Sequence, residues 1–442
     1  MKYDIFNAKS IELHAKVLEN KSFYEVIPAS DLKKSTNKGG LGQLIEKHHF
    51  GYKPNSLSGP DFVEAGVELK LTPYKKVRKS KYSSKERLVL NIIDYEKLIY
   101  EKFETSSFWN KNKLLLLIFY LYEKETNRSD FKITHAQLFS FPEKDLQIIK
   151  DDWKKIVDKV SKGLAHELSE SETSYLGACT KGANKHSLRK QPKSSIKAMQ
   201  RAFSLKSSYM TFILNEYILK KNVTYQTITD KLEDSLEEFI IKAYSNYYGE
   251  TLVNLSTRFG VSNNSKGKTY LVAAKMLNGE LTDLNKTEEF LKSNTKIKAI
   301  RIQKNGKIKE SMSFPTFKYL DIIKETWETS TLRNMFLETR FLFVVFKENE
   351  VGEYLFERSM FWNIPLSDLE NEVKSVWEET VNRINLGKSD DLPKSSDNKV
   401  CHVRPHARNR EDTYPTPHGD NIVKKCFWLN NSYLLEQVNF NK

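Results

Sequence analysis

Cysteine is scarce in this sequence, with only Cys179, Cys401 and Cys426. An odd and widely spaced set does not build a disulfide framework, which indicates a protein of a reducing cytoplasm. The amino terminus has no apolar stretch of the signal-peptide kind. The longest apolar run, residues 114–122, is far too short to cross a bilayer and predicts a buried strand. The sequence therefore predicts a cytoplasmic protein without a membrane-spanning segment.

Negative charge is in deficit, because 71 Lys and Arg accompany only 57 Asp and Glu, for a net charge of +14. A surplus of this size indicates a polyanionic partner, either nucleic acid or an anionic membrane surface. The lack of a membrane segment favours nucleic acid. Hydrophobic residues make up 39% of the 442 residues, which suits a globular protein of two or three domains.

Periodicity gives a coarse secondary structure for the first half of the chain. A glycine-rich stretch introduces a helix over residues 41–50. Residues 67–71 alternate apolar and charged side chains, which predicts a strand with one polar face. Residues 74–85 are predicted to form a basic loop of hairpin-like character, and residues 145–162 are predicted to form a long helix.

The two halves of the chain share short matches in the same order and at a nearly constant spacing. The matched sets are the apolar strands 114–122 and 341–346; Pro142, Leu146 and Trp153 with Pro365, Leu369 and Trp377; residues 203–209 with 427–433; and residues 37–39 with 265–267. Each match is weak alone, but their common order predicts two copies of one mixed α/β unit. We expect domains at 1–225 and 235–442, joined near residues 223–234.

Candidate chemistry is concentrated before and within the strand at residues 67–71. Hydrolysis of a phosphodiester needs a metal that polarises the phosphate and supplies hydroxide near neutral pH. Mg²⁺ prefers one or two carboxylates with water and substrate phosphate, which Asp61 and Glu68 can supply. Glu68 and Lys70 are two residues apart, so a strand directs both to the same face. Lys70 could there hold the attacking water or the scissile phosphate.

The acid-x-Lys triplet alone is a weak signal, because it occurs elsewhere in the chain. Other matches are Asp31-Lys33, Asp130-Lys132, Asp152-Lys154 and Asp397-Lys399. Three further features distinguish the triplet at Glu68: Pro60-Asp61 lies upstream, the strand alternation is clean, and the glycine-introduced helix carries Glu46. For an acid-x-Lys triplet without such features, the alternative to a catalytic role is an ordinary solvated strand face.

These residues carry a family resemblance. Pro60-Asp61 followed by Glu68-Leu69-Lys70 resembles the PD-(D/E)xK nuclease motif. Residues 38–46 with 65–70 resemble the MutH mismatch-repair nickases, and resemble more closely the restriction enzymes of the Sau family, which cut at GATC. Together with the internal repeat, the resemblance predicts a mixed α/β protein with two tandem copies of a MutH-like restriction-endonuclease fold, each a central mixed sheet flanked by helices.

The resemblance also implies roles for individual residues. Asp61 and Glu68 would bind Mg²⁺, and Lys70 would position or activate the water. Glu46 would act as a further carboxylate near the metal or Lys70. Lys111 falls where the family has a lysine that contacts the reacting phosphate, and its alternative interpretation is a solvated lysine before a strand.

DNA contacts implied by the resemblance lie mainly in loops. Lys38 and Gly39 match a loop that approaches DNA, where glycine permits close backbone approach. Lys181 matches a lysine that reaches a base edge in the major groove. Tyr209 matches a tyrosine near the adenine, and a core aromatic is its alternative interpretation. The nickases have Arg-Pro where this chain has Cys179-Thr180, a departure at the position of direct readout.

The second half lacks the catalytic carboxylates in the sequence alignment of the two halves. Glu46 falls opposite Ala274, Lys111 opposite Glu338, and the Glu68-x-Lys70 triplet opposite Ala299 and Arg301. We therefore expect the second half not to cleave.

The second half retains the residues expected to face DNA, Lys266, Arg404 and Tyr433, better than it retains the catalytic carboxylates. They predict a domain that binds a second DNA site as an effector, with a degenerate packing copy as the alternative. Cys401, His402, His406, His418 and Cys426 cluster in sequence, but their spacing matches no zinc pattern.

The resulting hypothesis is a type II restriction endonuclease of a restriction-modification system that hydrolyses double-stranded DNA at GATC with Mg²⁺ and no nucleotide cofactor. Because GATC is palindromic and the chain carries one predicted active centre, double-strand cleavage requires dimerisation on DNA or two successive nicks. The alternatives are a MutH-type nicking enzyme, which has one such domain, and a DNA-binding regulator with an inactive nuclease fold. Intact Asp61, Glu68 and Lys70 disfavour the regulator.

Overall fold

A computed structural model describes residues 3–34, 40–52, 59–78, 81–182, 186–229, 232, 234–262, 264–265 and 267–440. The chain divides into two compact units. Unit 1 comprises Met1–Ser235 and Lys286–Asn294, and unit 2 comprises Leu236–Asn285 and Thr295–Lys442. No helix within the described ranges is long and apolar enough to cross a membrane.

The strands of unit 1 are β1 (Glu68–Arg78), β2 (Lys81–Ser84), β3 (Leu88–Ile92), β4 (Leu115–Leu121), β5 (Ile133–Phe139), β6 (Leu176–Thr180), β7 (Leu188–Gln191), β8 (Ser194–Met199) and β9 (Arg201–Leu205). Those of unit 2 are β10 (Thr295–Ile302), β11 (Met312–Thr316), β12 (Arg340–Glu348), β13 (Tyr354–Trp362), β14 (Cys401–Pro405), β15 (Thr413–Pro415), β16 (Asn421–Val423) and β17 (Lys425–Leu429).

The α-helices, in chain order, are α1 (Ala8–Lys16), α2 (Phe23–Val26), α3 (Ala29–Lys34), α4 (Gly40–Ile45), α5 (Tyr95–Leu98), α6 (Ser107–Asn112), α7 (Glu143–Ser161), α8 (Ser207–Ile213), α9 (Leu236–Ser245), α10 (Leu252–Arg258), α11 (Lys268–Leu277), α12 (Glu288–Ser293), α13 (Tyr319–Ile322), α14 (Thr331–Glu338), α15 (Leu366–Asp368), α16 (Lys374–Asn385) and α17 (Asn431–Phe440). Single π-helical turns span Glu46–Phe50, Leu214–Ile218 and Leu369–Val373.

Unit 1 contains a mixed sheet of order β2-β1-β4-β5, in which β1 and β4 are parallel and the other pairs are antiparallel. One face of this sheet packs against α1 and α4 through an apolar cluster. That cluster includes Ile11, Ala15, Leu41, Ile45, Leu69, Leu116 and Ile118, all at most 3% exposed. Separate antiparallel sheets have the orders β3-β9-β6 and β7-β8.

Unit 2 contains a sheet of order β10-β12-β13, in which β10 and β12 are parallel and β12 and β13 antiparallel. Antiparallel sheets of order β11-β17-β14 and β15-β16 complete the described strands of this unit. Its core joins the β10-β12-β13 and β11-β17-β14 sheets to α14, α16 and α17.

Residues 286–294, which the sequence assigns to the second domain, belong to unit 1. Helix α12 carries Lys292, whose side chain is 1% exposed and lies 2.6 Å from carboxylate oxygens of both Asp145 and Glu288. The Tyr209 hydroxyl donates to the other oxygen of Asp145 at 2.9 Å. A fully buried lysine is stable only when its charge is paired in this way, so α12 is an integral part of the unit 1 core.

The predicted strand at residues 67–71 is confirmed as the start of β1, and the long helix is confirmed as α7. The predicted helix at residues 41–50 is confirmed in position, although its second half is a π-helical turn. The hairpin-like character predicted for residues 74–85 is confirmed, but the segment forms paired strands rather than a loop. Its described residues form an antiparallel hairpin of β1 and β2, with Tyr74 opposite Ser84, because backbone pairing with the adjacent sheet outweighs the polar composition.

Candidate active site

The turn before β1 brings Asp61 beside Glu68. Phe62 and Val67 exchange two backbone hydrogen bonds of 2.9 and 3.1 Å, and Gly66 adopts a φ of +66° in the turn between them. The Asp61 amide donates to Glu68 Oε2 at 3.1 Å, and the Leu69 amide donates to Asp61 Oδ2 at 2.9 Å. The two carboxylates are therefore fixed to one short piece of backbone.

Two lysines surround the Glu68 carboxylate. Lys70 Nζ lies 2.7 Å from Glu68 Oε1, as the two-residue strand spacing predicts. Lys111, in the last turn of α6, places its Nζ 3.6 Å from the same oxygen. Glu68 is 2% exposed, and burial raises its pKa while Lys70 opposes the rise. The structure thus brings together Asp61, Glu68, Lys70 and Lys111.

Glu46 begins the π-helical turn that follows α4. Burial, followed by the negative charges of Asp61 and Glu68, raises the pKa of Glu46 to about 7. Lys70 and Lys111 act in the opposite direction. Glu46 is therefore electrostatically part of the same cluster, as the sequence predicts.

Tyr52 is a neighbour of this cluster that the sequence did not reveal. Gly51 ends the π-helical turn with a φ of +77°, and this left-handed residue lets the Tyr52 amide return to the Glu46 carbonyl at 3.3 Å. The Tyr52 ring packs edge-on against Phe62 at 5.4 Å. Its hydroxyl is buried and has no hydrogen-bond partner among the described residues. Burial, and then the nearby carboxylates with Asp61 foremost, raise its pKa.

The donor set fits a hard divalent cation. The carboxylates of Asp61 and Glu68 are linked by backbone hydrogen bonds, and their negative charges also act on Glu46. Mg²⁺ commonly takes one or two protein carboxylates and completes its shell with water and phosphate. No group of three or more His, Cys, Asp or Glu side chains is arranged around a common point in the described part of the chain. A site here would accordingly depend on Asp61 and Glu68 together with water and substrate oxygens.

The DNA-facing predictions in unit 1 have mixed outcomes. Lys181 is exposed directly after β6, and its amide donates to Gln200 O at 2.9 Å. Tyr209 is fully buried, and its hydroxyl is bonded to Asp145. That position differs from the expected place near a base, because α8 directs the ring into the core. Lys38 and Gly39 lie outside the described residues.

In unit 2, Arg404 is exposed on β14 and stacks its guanidinium 3.8 Å from the centre of the Trp428 ring. The His406 ring meets the same indole edge-on at 5.3 Å. Tyr433 is buried and donates to Asp368 Oδ2 at 2.7 Å, so it too differs from the expected DNA-facing position. Lys266 lies outside the described residues.

Comparison with known proteins supports the nuclease interpretation. The profile of the family described as DNA mismatch repair enzyme MutH matches residues 50–152. The type II restriction enzyme Sau3AI of Staphylococcus aureus is 40% identical over 97% of this chain and 98% of its own length. The MutH protein of Shewanella woodyi is 31% identical over 34% of this chain and 64% of its own length. That of Vibrio campbellii is 26% identical over 41% and 80%, respectively.

Proposed function

This chain belongs to the family of the type II restriction enzyme Sau3AI and is a site-specific deoxyribonuclease, and we propose that it hydrolyses double-stranded DNA at GATC with Mg²⁺. The observation that carries the proposal is the cluster of Asp61, Lys70 and Lys111 around the buried Glu68. The Asp61 amide donates to the Glu68 carboxylate, and Lys70 Nζ and Lys111 Nζ lie 2.7 and 3.6 Å from it.

Each side chain has a proposed task. Asp61 and Glu68 hold the Mg²⁺, which when bound polarises the phosphate and lowers the pKa of its water. Lys70 orients the water toward phosphorus, and Lys111 stabilises the charge that develops on the phosphate oxygens. Glu46 would act as a further carboxylate near the metal or Lys70.

Relatives of the MutH type match less than half of this chain, whereas the Sau3AI match extends over nearly all of it. This difference favours restriction over mismatch-repair nicking. Digestion of methylated and unmethylated plasmid with Mg²⁺, followed by sequencing of the ends, tests both the site and the cut. Cleavage that ignores GATC would contradict the proposed specificity. Nicks confined to one strand of hemimethylated DNA would instead support the nickase.

We further propose that unit 2 is a second copy of the unit 1 fold. In support, the parallel pair β1/β4 and the antiparallel pair β4/β5 recur as β10/β12 and β12/β13. The sheet β3-β9-β6 recurs as β11-β17-β14. The buried hydrogen bond from Tyr209 to Asp145 recurs from Tyr433 to Asp368. Helices α6 and α14 each follow an N-cap serine that accepts a backbone hydrogen bond.

Strand register aligns the two copies. The β4/β5 pairing has an irregularity between Phe119 and Tyr120, and the β12/β13 pairing has one between Val345 and Phe346. Bulges disturb the register at one defined residue, so they serve as alignment marks. Matching them places Leu115 of β4 opposite Phe341 of β12.

This register corrects the alignment expected from sequence. Glu68 pairs with Leu115 in unit 1, and Lys296 pairs with Phe341 in unit 2. The counterparts of Glu68 and Lys70 are thus Lys296 and Lys298, because the sequence alignment was displaced by the intervening loop. On the corrected register unit 2 still lacks the strand carboxylate, which supports a copy that does not cleave.

We propose that unit 2 binds a second GATC-containing duplex and acts as an effector. The exposed arginine stacked on an indole at Arg404 and Trp428 suits contact with phosphates and bases. Addition of an uncleavable GATC duplex in trans at low enzyme concentration should accelerate cleavage of a one-site substrate. A rate that never rises would leave unit 2 as a packing copy.

A further inference from the structure

Two lysines of unit 2 lie together on one face of β10. Lys296 and Lys298 are two residues apart, so their side chains leave the strand on the same side, about 7 Å from each other along it. They stand beside Phe341 and Phe343 of the parallel neighbour β12. Both side chains are half-buried rather than free in solvent.

Neither lysine has a carboxylate to neutralise it within 4.0 Å in the described parts of the chain. Burial lowers the pKa of both, and Asp283 only partly opposes this for Lys296. Asp283 Oδ1 already accepts a hydrogen bond from the Tyr270 hydroxyl at 2.6 Å. Lys298 Nζ lies 3.5 Å from the Ser313 carbonyl, a marginal hydrogen bond.

The thiol of Cys426 is an acidic group that acts on Lys298 and raises its pKa. Burial raises the pKa of this thiol to about 11, so at neutral pH it supplies no negative charge. The ammonium groups of Lys296 and Lys298 are therefore partly removed from water. Their charges repel each other, and no carboxylate of the described residues lies close enough to pair with them. Such an arrangement costs free energy in the unliganded protein and is relieved by an anion.

The position of this pair in the fold indicates which anion. In the register set by the two bulges, Lys296 and Lys298 occupy the places that Glu68 and Lys70 occupy in unit 1. In unit 1 that strand face carries the carboxylate and lysine proposed to hold Mg²⁺ and the scissile phosphate. In unit 2 a fixed positive charge stands where unit 1 has a metal ligand.

We propose that Lys296 and Lys298 form a metal-independent site for a backbone phosphate of DNA, so that unit 2 holds a duplex by ammonium groups where unit 1 requires a divalent cation. This inference rests on the proposed DNA-binding role of unit 2. It explains how a copy can keep the substrate-binding geometry of the nuclease and yet not cut, because an ammonium group supplies no hydroxide. It also implies that effector DNA binds when metal is withheld.

The test uses the full chain in EDTA, where no cleavage occurs, and a fluorescent duplex with one GATC site. Anisotropy titrations between about 50 and 200 mM salt give the affinity and its salt slope. The double substitution Lys296→Gln with Lys298→Gln should weaken binding at least about tenfold and reduce the slope by about 1 to 2. The matched control, Lys307→Gln with Lys309→Gln, removes the same charge from exposed positions just beyond β10 and should change binding little.

Two further variants separate the possible failures. Arg404→Ala reports on the proposed DNA-binding surface of unit 2 independently of β10. If Arg404→Ala weakens binding and the β10 pair does not, the phosphate site is overturned while the effector role stands. If neither variant differs from the control, both proposals are overturned.

Thermal unfolding distinguishes a binding role from a structural one. Since the two charges are uncompensated in the free protein, Lys296→Gln with Lys298→Gln should unfold at the same temperature as the parent protein or higher. A marked loss of stability would contradict the proposal, because it would show that the two lysines have a structural role in the free protein. Replacement of both lysines by arginine keeps the charge and should retain most of the affinity in EDTA.

Discussion

The backbone amide of Asp61 donates a hydrogen bond to the side chain of Glu68, at 3.1 Å. One carboxylate is thus oriented by the main chain of the residue that supplies the other. The geometry of the proposed metal site is consequently set by a hairpin of eight residues, residues 61–68, rather than by distant parts of the fold. Several measurable consequences follow from the way the surrounding side chains complete this site.

Substitution of Asp61 by asparagine should abolish cleavage with little change in stability. Asparagine keeps an oxygen that can accept from the Leu69 amide, but it removes the charge that holds Mg²⁺. We expect the cleavage rate to fall at least about 1000-fold, or about 4 kcal/mol of transition-state stabilisation. Asp130→Asn is the matched control, because Asp130 begins another acid-x-Lys triplet and is exposed. An Asp61→Asn enzyme with near-normal activity would remove Asp61 from the metal site.

Lys111→Met should both slow cleavage and move its acid limb to higher pH. Lys111 lowers the pKa of Glu68 from a distance of 3.6 Å, so its loss lets that pKa rise further. The fraction of ionised Glu68 at a given pH then falls, and more alkaline conditions are needed to bind metal. Rate measurements across the pH range, with Lys113→Met as control, check this. An unshifted profile with a reduced rate would point to phosphate contact alone.

Glu46→Gln should stabilise the metal-free protein at alkaline pH. The folded-state pKa of Glu46 is about 7, above its ordinary value, so the folded state binds its proton more tightly than the unfolded state. The stability from this group is fully present below the unfolded pKa and is lost as pH rises through about 7. Chemical denaturation in EDTA gives the free energy of unfolding of both proteins at pH 5 and pH 8. The value for the variant, relative to that of the parent protein, should be higher at pH 8 than at pH 5. An equal difference at both values would contradict the raised pKa.

Tyr52→Phe should raise the stability of the metal-free protein and lower the efficiency of metal use. The hydroxyl is buried without a partner among the described residues, so its removal should gain about 1 kcal/mol. If the hydroxyl orders water or a carboxylate once metal binds, the variant will need more Mg²⁺ for half-maximal cleavage. The increase in unfolding temperature that Mg²⁺ confers on each protein is a second measurement, which does not depend on activity. Destabilisation of Tyr52→Phe in EDTA would show that the hydroxyl has an internal partner.

The catalytic strand was predictable because its evidence is local. The spacing from Asp61 to Glu68 and the alternation after it require only a turn and a strand, and both are present. Tyr52 was missed because its proximity depends on the left-handed Gly51 and on packing against Phe62, and neither leaves a periodic signal.

Other parts of the fold depend on partners far away in sequence. The basic composition of residues 74–85 predicts a hairpin-like loop, whereas β1 and β2 form paired strands there because the sheet extends beside them. Tyr209 and Tyr433 were expected near DNA, and each donates instead to an aspartate of a helical segment at the core. The counterparts proposed for Glu68 and Lys70 depend on strand pairing, since a bulge leaves no mark in a sequence comparison of the two halves.

Helix α12 has a consequence for the order in which the protein is made. Lys292, which neutralises the buried carboxylate of Asp145, is synthesised well after the remainder of unit 1, and only once most of the first part of unit 2 has emerged. Until then the buried carboxylate of Asp145 lacks its lysine partner. Unit 1 is therefore completed only after the first segment of unit 2 has been translated, and residues 1–235 expressed alone would lack the Lys292 side chain that pairs with Asp145.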